Sequence, residues 1–110
     1  MICIDIDDKL KFRVKGTIKN ADGIDKPFEF SLLCHRRNAE EIQATLQDAE
    51  EKSIVDFLQE ITLDWSGVKD GSGASLEFNE ANLRALAKIP GLASICLRTY
   101  LAEVGAKEKN

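Results

Sequence analysis

The chain of 110 residues carries 15 lysines and arginines against 19 acids, for a formal charge of -4, and is 44% hydrophobic. That length suits one domain with a modest core, the apolar content excludes a disordered polar segment, and the acidic balance argues against duplex nucleic acid as a main partner. No run approaches the roughly 18 apolar residues of a membrane span, and "MICIDIDDKLKF" lacks the basic-then-apolar order of a secretory signal, so a cytoplasmic chain without membrane contact is expected.

Ile2, Ile4, Ile6, Leu10, Phe12, Val14 and Ile18 share even parity, the period of a strand with one buried face. The opposite face runs from Asp5 and Asp7 to Lys9, Lys11, Arg13, Lys15 and Lys19. Phe28, Phe30, Leu32 and Cys34 repeat the even pattern, so two antiparallel strands are predicted. Asp22-Gly23 between them suggests a two-residue turn. Such a turn pairs positions whose numbers sum to 45, which sets the two apolar rows on opposite faces. An even sum is required, hence a loop with an odd number of residues or a bulge, with Ile18 near Phe28.

From residue 38 the pattern becomes helical. Asn38 is placed as an N-cap with Glu41 three residues on, and Ile42, Leu46 and Ala49 follow at helical spacing. Ser53 and Asp56 repeat that device ahead of Ile54, Val55, Leu58, Ile61 and Thr62, with Gly67 as the expected stop. Asn79 caps a third helix stapled by Phe78 and Leu83, and Leu86 continues its apolar row. Pro90 ends it and sits near the first turn of a fourth, which carries Leu92, Ile95, Cys96, Thr99 or Tyr100 and Val104. The fold class is therefore α+β: an N-terminal antiparallel β-hairpin or small sheet followed by about four α-helices. The chain divides into a β-hairpin region 1–37, a helical region 38–104 and a polar tail 105–110, all in one domain.

"SGVKDGSGASLE", residues 66–77, places Asp70, Gly71 and Glu77 at the fifth, sixth and twelfth positions of a calcium loop. Its first and third positions are Ser66 and Val68, however, and two carboxylates cannot supply the roughly six to eight oxygens the ion takes. A phosphate cradle fails as well, because Leu76 stands where a third glycine belongs and no GK[ST] follows. The stretch reads as a turn tacked to the core by Trp65, Val68, Leu76 and Phe78. Asp5 and Asp7 have no further ligand beside them. His35, the only histidine, points away from Cys34 on strand geometry. No catalytic, metal-binding or cofactor-binding set can be assembled, so no enzyme activity and no cofactor are expected. The three cysteines, Cys3, Cys34 and Cys96, read as free thiols of a reducing compartment. The basic row with His35, Arg36 and Arg37 is the one feature suited to nucleic acid or an acidic partner. It lacks aromatic residues for base stacking and reads first as a solvated, edge-guarding face.

The segment from Asp56 to Val104 resembles the tail assembly chaperones of long-tailed bacteriophages and prophages. Its carriers are Phe57-Leu58, Trp65, Gly67-Val68, Asp70, Gly73, Leu76, Phe78, Asn79 and Pro90-Gly91, ordered as a helix "FLxxxxxxW" leading into "W-x-G-V-x-D-x-x-G-x-x-L-x-F", a capped helix and a "PG" opening the last one. "FRVKGTIKNADG" and "PFEFSLLCHR" are similar to that family's hairpin, so the likeness covers about residues 10–104. Asp64, where the family often has glycine, and the compressed "KDGSGAS" depart from it without touching the apolar skeleton.

The resemblance implies a non-enzymatic protein of the bacterial host cytoplasm, absent from the mature virion. Its partners would be the tape-measure protein and the tail tube protein, with a homo-oligomer as a further option. Helix-in-groove docking directs attention to the fourth helix, which is apolar on more than one side. Leu97, Leu101 and Val104 form one stripe and Tyr100 belongs to the other; with Trp65 these are the candidate partner-binding residues. The alternative from another class is a small nucleic-acid-binding regulatory protein using the basic hairpin face.

Overall fold

The even-numbered apolar rows of the first two strands come together on one face of a small sheet. In this computed structural model, residues 8–47 and 51–105 are described. The elements are β1 (Lys9–Lys19), β2 (Asp25–His35), α1 (Ala39–Gln47), α2 (Glu51–Ile61), β3 (Thr62–Ser66), α3 (Glu80–Ala87) and α4 (Leu92–Val104). They form an α+β fold with an antiparallel sheet of order β1-β2-β3. The segment carrying Ile2 to Asp7, the position of Ala49, and tail residues 106–110 lie outside the described residues.

Lys9 faces His35 and Lys19 faces Asp25, so every β1–β2 pair sums to 44. Residues 20–24, an odd number, make the connection. Asn20 organises it: its Oδ1 accepts from the N–H groups of Asp22 at 2.9 Å and Ile24 at 3.0 Å. Even parity then puts Phe12, Val14, Phe30, Leu32 and Cys34 in the core. Gly16 faces Phe28 and Ile18 faces Lys26, so Ile18 meets Phe28 diagonally. A Cβ on Gly16 would sit 2.6 Å from the Phe28 ring, so glycine lets that ring lie across β1.

Asn38 and Glu41 cap α1 reciprocally: the Glu41 N–H donates to Asn38 Oδ1 at 2.9 Å and the Asn38 N–H to Glu41 Oε1 at 3.2 Å. At α2 the expectation fails. The helix is already formed at Glu51, so position 53 lies inside it and not ahead of it.

The larger departure follows. The helix stops at Ile61 and the chain enters β3 directly, so the region 38–104 contains a strand. Ser31, Leu32 and Leu33 pair with Ser66, Trp65 and Asp64, but Cys34 pairs with Thr62. The register shift leaves Leu63 as an extra residue. Thr62 and Trp65, three apart, would face opposite sides of a regular strand; the bulge turns both into the core.

Asn79 caps α3 as expected, accepting from the Asn82 N–H at 2.8 Å. Pro90 lies just ahead of the first turn of the fourth helix: the cap is Gly91, at φ 82°, and α4 begins at Leu92. That conformation favours glycine. The helix packs against β1, α2 and α3. At the centre of the core, the Tyr100 ring meets Phe12 and Phe57 edge-on at 6.0 and 5.8 Å.

Candidate functional site

The stretch from Trp65 to Phe78 is built by its own side chains. Gly67 turns at φ 84° with the Phe30 Cα only 3.4 Å from where a Cβ would stand. Beyond it Leu76 N–H donates to Val68 O at 2.9 Å, and Lys69 bridges to Ser75. At the tip, Asp70 Oδ1 accepts from the Ser72 hydroxyl at 2.6 Å and from the N–H groups of Ser72 and Ala74 at 2.9 and 3.1 Å. These bonds hold the Asp70 carboxyl below its ordinary value, the Ser72 hydroxyl contributing most. The Trp65 indole N–H donates to Leu76 O at 2.9 Å, and the Phe78 ring stands edge-on to it at 5.2 Å. The loop therefore spends its aspartate and tryptophan on itself.

The candidate partner residues fall mostly inside. Trp65 is 8% exposed, Leu97 7%, Tyr100 0% and Val104 9%, all within the core, and Leu101 packs partly buried against it. Leu97, Tyr100 and Val104 are thus internal, because β1, α2 and α3 pack around the helix, while Leu101 keeps part of its surface. A partner cannot reach Leu97 or Tyr100 on this fold without opening it.

Chemistry elsewhere is sparse. Cys34 and Cys96 are free and buried. Burial raises the Cys34 thiol to about 11 against a partial offset from its contact with Thr62. Burial, with the neighbouring Cys34, raises Cys96 to about 12, so both remain protonated near neutrality. The carbonyl of His35 accepts the Tyr100 hydroxyl at 2.9 Å. Among the described residues no three His, Cys, Asp or Glu side chains are grouped to hold a metal ion, and no helix is long and apolar enough to cross a membrane.

Two surfaces remain open. On the sheet's outer face, Arg13 pairs with Glu29 at 3.2 Å and Lys19 with Asp25 at 3.5 Å, while Lys9, Lys11 and Lys15 make no ion pair among the described residues. Near the far end of the hairpin, Ile18, Phe28, Phe30, Val68, Leu86, Ile89 and Leu92 line an apolar groove with Glu29 and Lys69 beside it. Ile18 is 41% exposed there. This groove was not predicted from the sequence, because its walls come from β1, β2, the loop after β3 and the corner between α3 and α4. No signal in the sequence marked it, since the even parity of Ile18 placed that residue in the buried row.

The fold and these surfaces define the class of protein no further than an α+β domain with a helix-backed three-stranded antiparallel sheet. No family model matches the chain, and neither a curated protein nor a solved structure does.

Proposed function

We propose that this protein is a tail assembly chaperone of a long-tailed phage or prophage. It acts by stoichiometric binding in the host cytoplasm and not by catalysis, and it leaves before the virion is complete. The reading is carried by the ordered stretch from Trp65 through Phe78 into the Asn79 cap. Each member of the resemblance there has an identifiable structural task, from the indole bond to Leu76 to the glycine turn at Gly67.

The client is the tape-measure protein, with the tail tube protein as a second partner. With most of the α4 stripe internal, its docking place is the apolar groove beside Ile18, which takes large side chains from an amphipathic client helix. Apolar docking of this kind tolerates salt, whereas phosphate binding by a lysine row weakens steeply with it.

Co-expression with a tape-measure protein of a long-tailed phage tests the proposal. Solubilisation of the large protein and co-purification that survives high salt are expected, and Ile18→Ser should weaken both while the domain stays folded. Nucleic acid recovered in place of a protein client, and stripped by salt, would instead favour the basic hairpin face as the functional surface.

A further inference from the structure

The hydrogen-bonding direction along β1 joins two features that look separate: an unpaired strand edge and the row of basic side chains. At one end of the β1–β2 ladder the Arg36 N–H donates to Asp8 O at 2.7 Å, and at the other the Asn20 N–H donates to Ile24 O at 3.0 Å. Both pairs obey the same even register, so the even-numbered residues of β1 exchange their bonds with β2. The odd-numbered residues Lys9, Lys11, Arg13, Lys15, Thr17 and Lys19 therefore turn their N–H and C=O groups to the other side. β1 is the outer strand of the order β1-β2-β3, and among the described residues nothing pairs with that side. The residues offering free backbone bonds are the same ones whose side chains make the basic row.

From this geometry we infer that the outer edge of β1 is a docking edge for an extended segment of alternating acidic and apolar residues, added as a fourth strand. A strand bonded there sets every second side chain on the outer face beside Lys9, Lys11 and Lys15, where acids are favoured. The alternate side chains fall on the other face, beside Leu10, Phe12 and Val14, where α4 packs against β1 and apolar groups are favoured. A second copy of β1 is disfavoured in the same place. Antiparallel self-pairing would bring Lys and Arg opposite Lys and Arg, so the row that rejects this chain's own edge selects an acidic partner. This edge is independent of the groove beside Ile18, and its failure leaves the chaperone reading standing.

The test uses the full chain and labelled synthetic heptapeptides: one alternating Asp or Glu with Ile or Val, one of identical composition with the acids in a block, and one with Lys in place of the acids. The alternating acidic peptide should bind, and amide hydrogen exchange should slow at the odd-numbered β1 residues and not at the even ones. Lys11→Glu with Lys15→Glu, both on the exposed face, should weaken it about tenfold and confer binding of the lysine peptide, which reports a folded edge with reversed preference. Equal binding of the block peptide without edge protection would reduce the effect to net charge and overturn the inference. So would no binding at all, or a single-stranded oligonucleotide bound in place of any peptide.

Discussion

The Tyr100 hydroxyl accepts the backbone N–H of Arg37 at 2.9 Å while donating its own proton to the carbonyl of His35 at the same distance. One side chain of α4 thus satisfies both polar groups where β2 hands over to α1. Tyr100→Phe keeps the ring against Phe12 and Phe57 but leaves two part-buried backbone groups without a partner. A loss of about 1–3 kcal/mol is expected in urea unfolding, well beyond a surface substitution. A change under about 0.5 kcal/mol would mean water replaces the hydroxyl at no cost.

Leu97→Ala tests where the fourth helix spends its apolar surface. With Leu97 7% exposed, the substitution should cost about 2–5 kcal/mol of stability, and Leu101→Ala distinctly less because Leu101 is only partly buried. Loss of client binding with unchanged stability in Leu97→Ala would restore the partner stripe that burial argues against.

The loop after β3 tests the cost of a left-handed backbone. Gly67 and Gly73 both stand near φ 85°, and an L-residue there costs about 1–2 kcal/mol. Gly73 has nothing within 4 Å of its missing Cβ, and the nearest atom to that of Gly67, the Phe30 Cα at 3.4 Å, stands at ordinary contact distance. Gly67→Ala and Gly73→Ala should therefore lower the unfolding midpoint by similar amounts. A clearly larger loss at Gly67 would show that Phe30 crowds the added methyl group.

How far the sequence revealed this fold follows from those same residues. Parity alone restricted the hairpin to an even register, because a one-residue slip would turn Phe12 and Val14 to water; which even register it is came only with the structure. The α1 and α3 caps were legible because Asn38 and Asn79 bond locally. β3 was not. No glycine or proline separates Ile61 from Thr62, and the spacing of Thr62 and Trp65 mimics a continuing helix until the bulge at Leu63 is known. The apolar breadth of α4 was visible, but its meaning depended on β1, α2 and α3 packing around it, and a helix apolar on several sides is as readily buried as shared. Three-dimensional neighbours also decide the groove, which no local pattern encodes, whereas the lysine row already suggested a strand edge.

At the loop tip, Ser72→Ala should move the Asp70 carboxyl back up toward its ordinary value, since the hydroxyl bond is the largest cause of its depression. Because the folded value is lowered, the stabilisation is present above the unfolded aspartate value and is lost as pH falls through the folded one. A carboxyl NMR titration of the two proteins reads the difference directly. An unchanged midpoint in Ser72→Ala would show that the backbone N–H groups hold the charge alone.

Alkaline pH should unfold this protein through its thiols. Cys34 titrates at about 11 and Cys96 at about 12 in the folded chain, both raised by burial from an ordinary 9.0, and burial also raises Tyr100. A raised folded value means that the unfolded chain releases its protons first. Stability from these groups is therefore complete below about pH 9 and lost as pH climbs toward 11 and 12. Urea midpoints should stay level up to about pH 9 and then fall, and iodoacetamide should alkylate Cys34 and Cys96 slowly until the chain unfolds. Cys96→Ala starts lower, because a small cavity replaces the sulfur, but should decline less steeply above pH 9, having one fewer buried proton to lose. Parallel declines in the two proteins would remove Cys96 from the account and leave Cys34 and Tyr100 as the titrating pair.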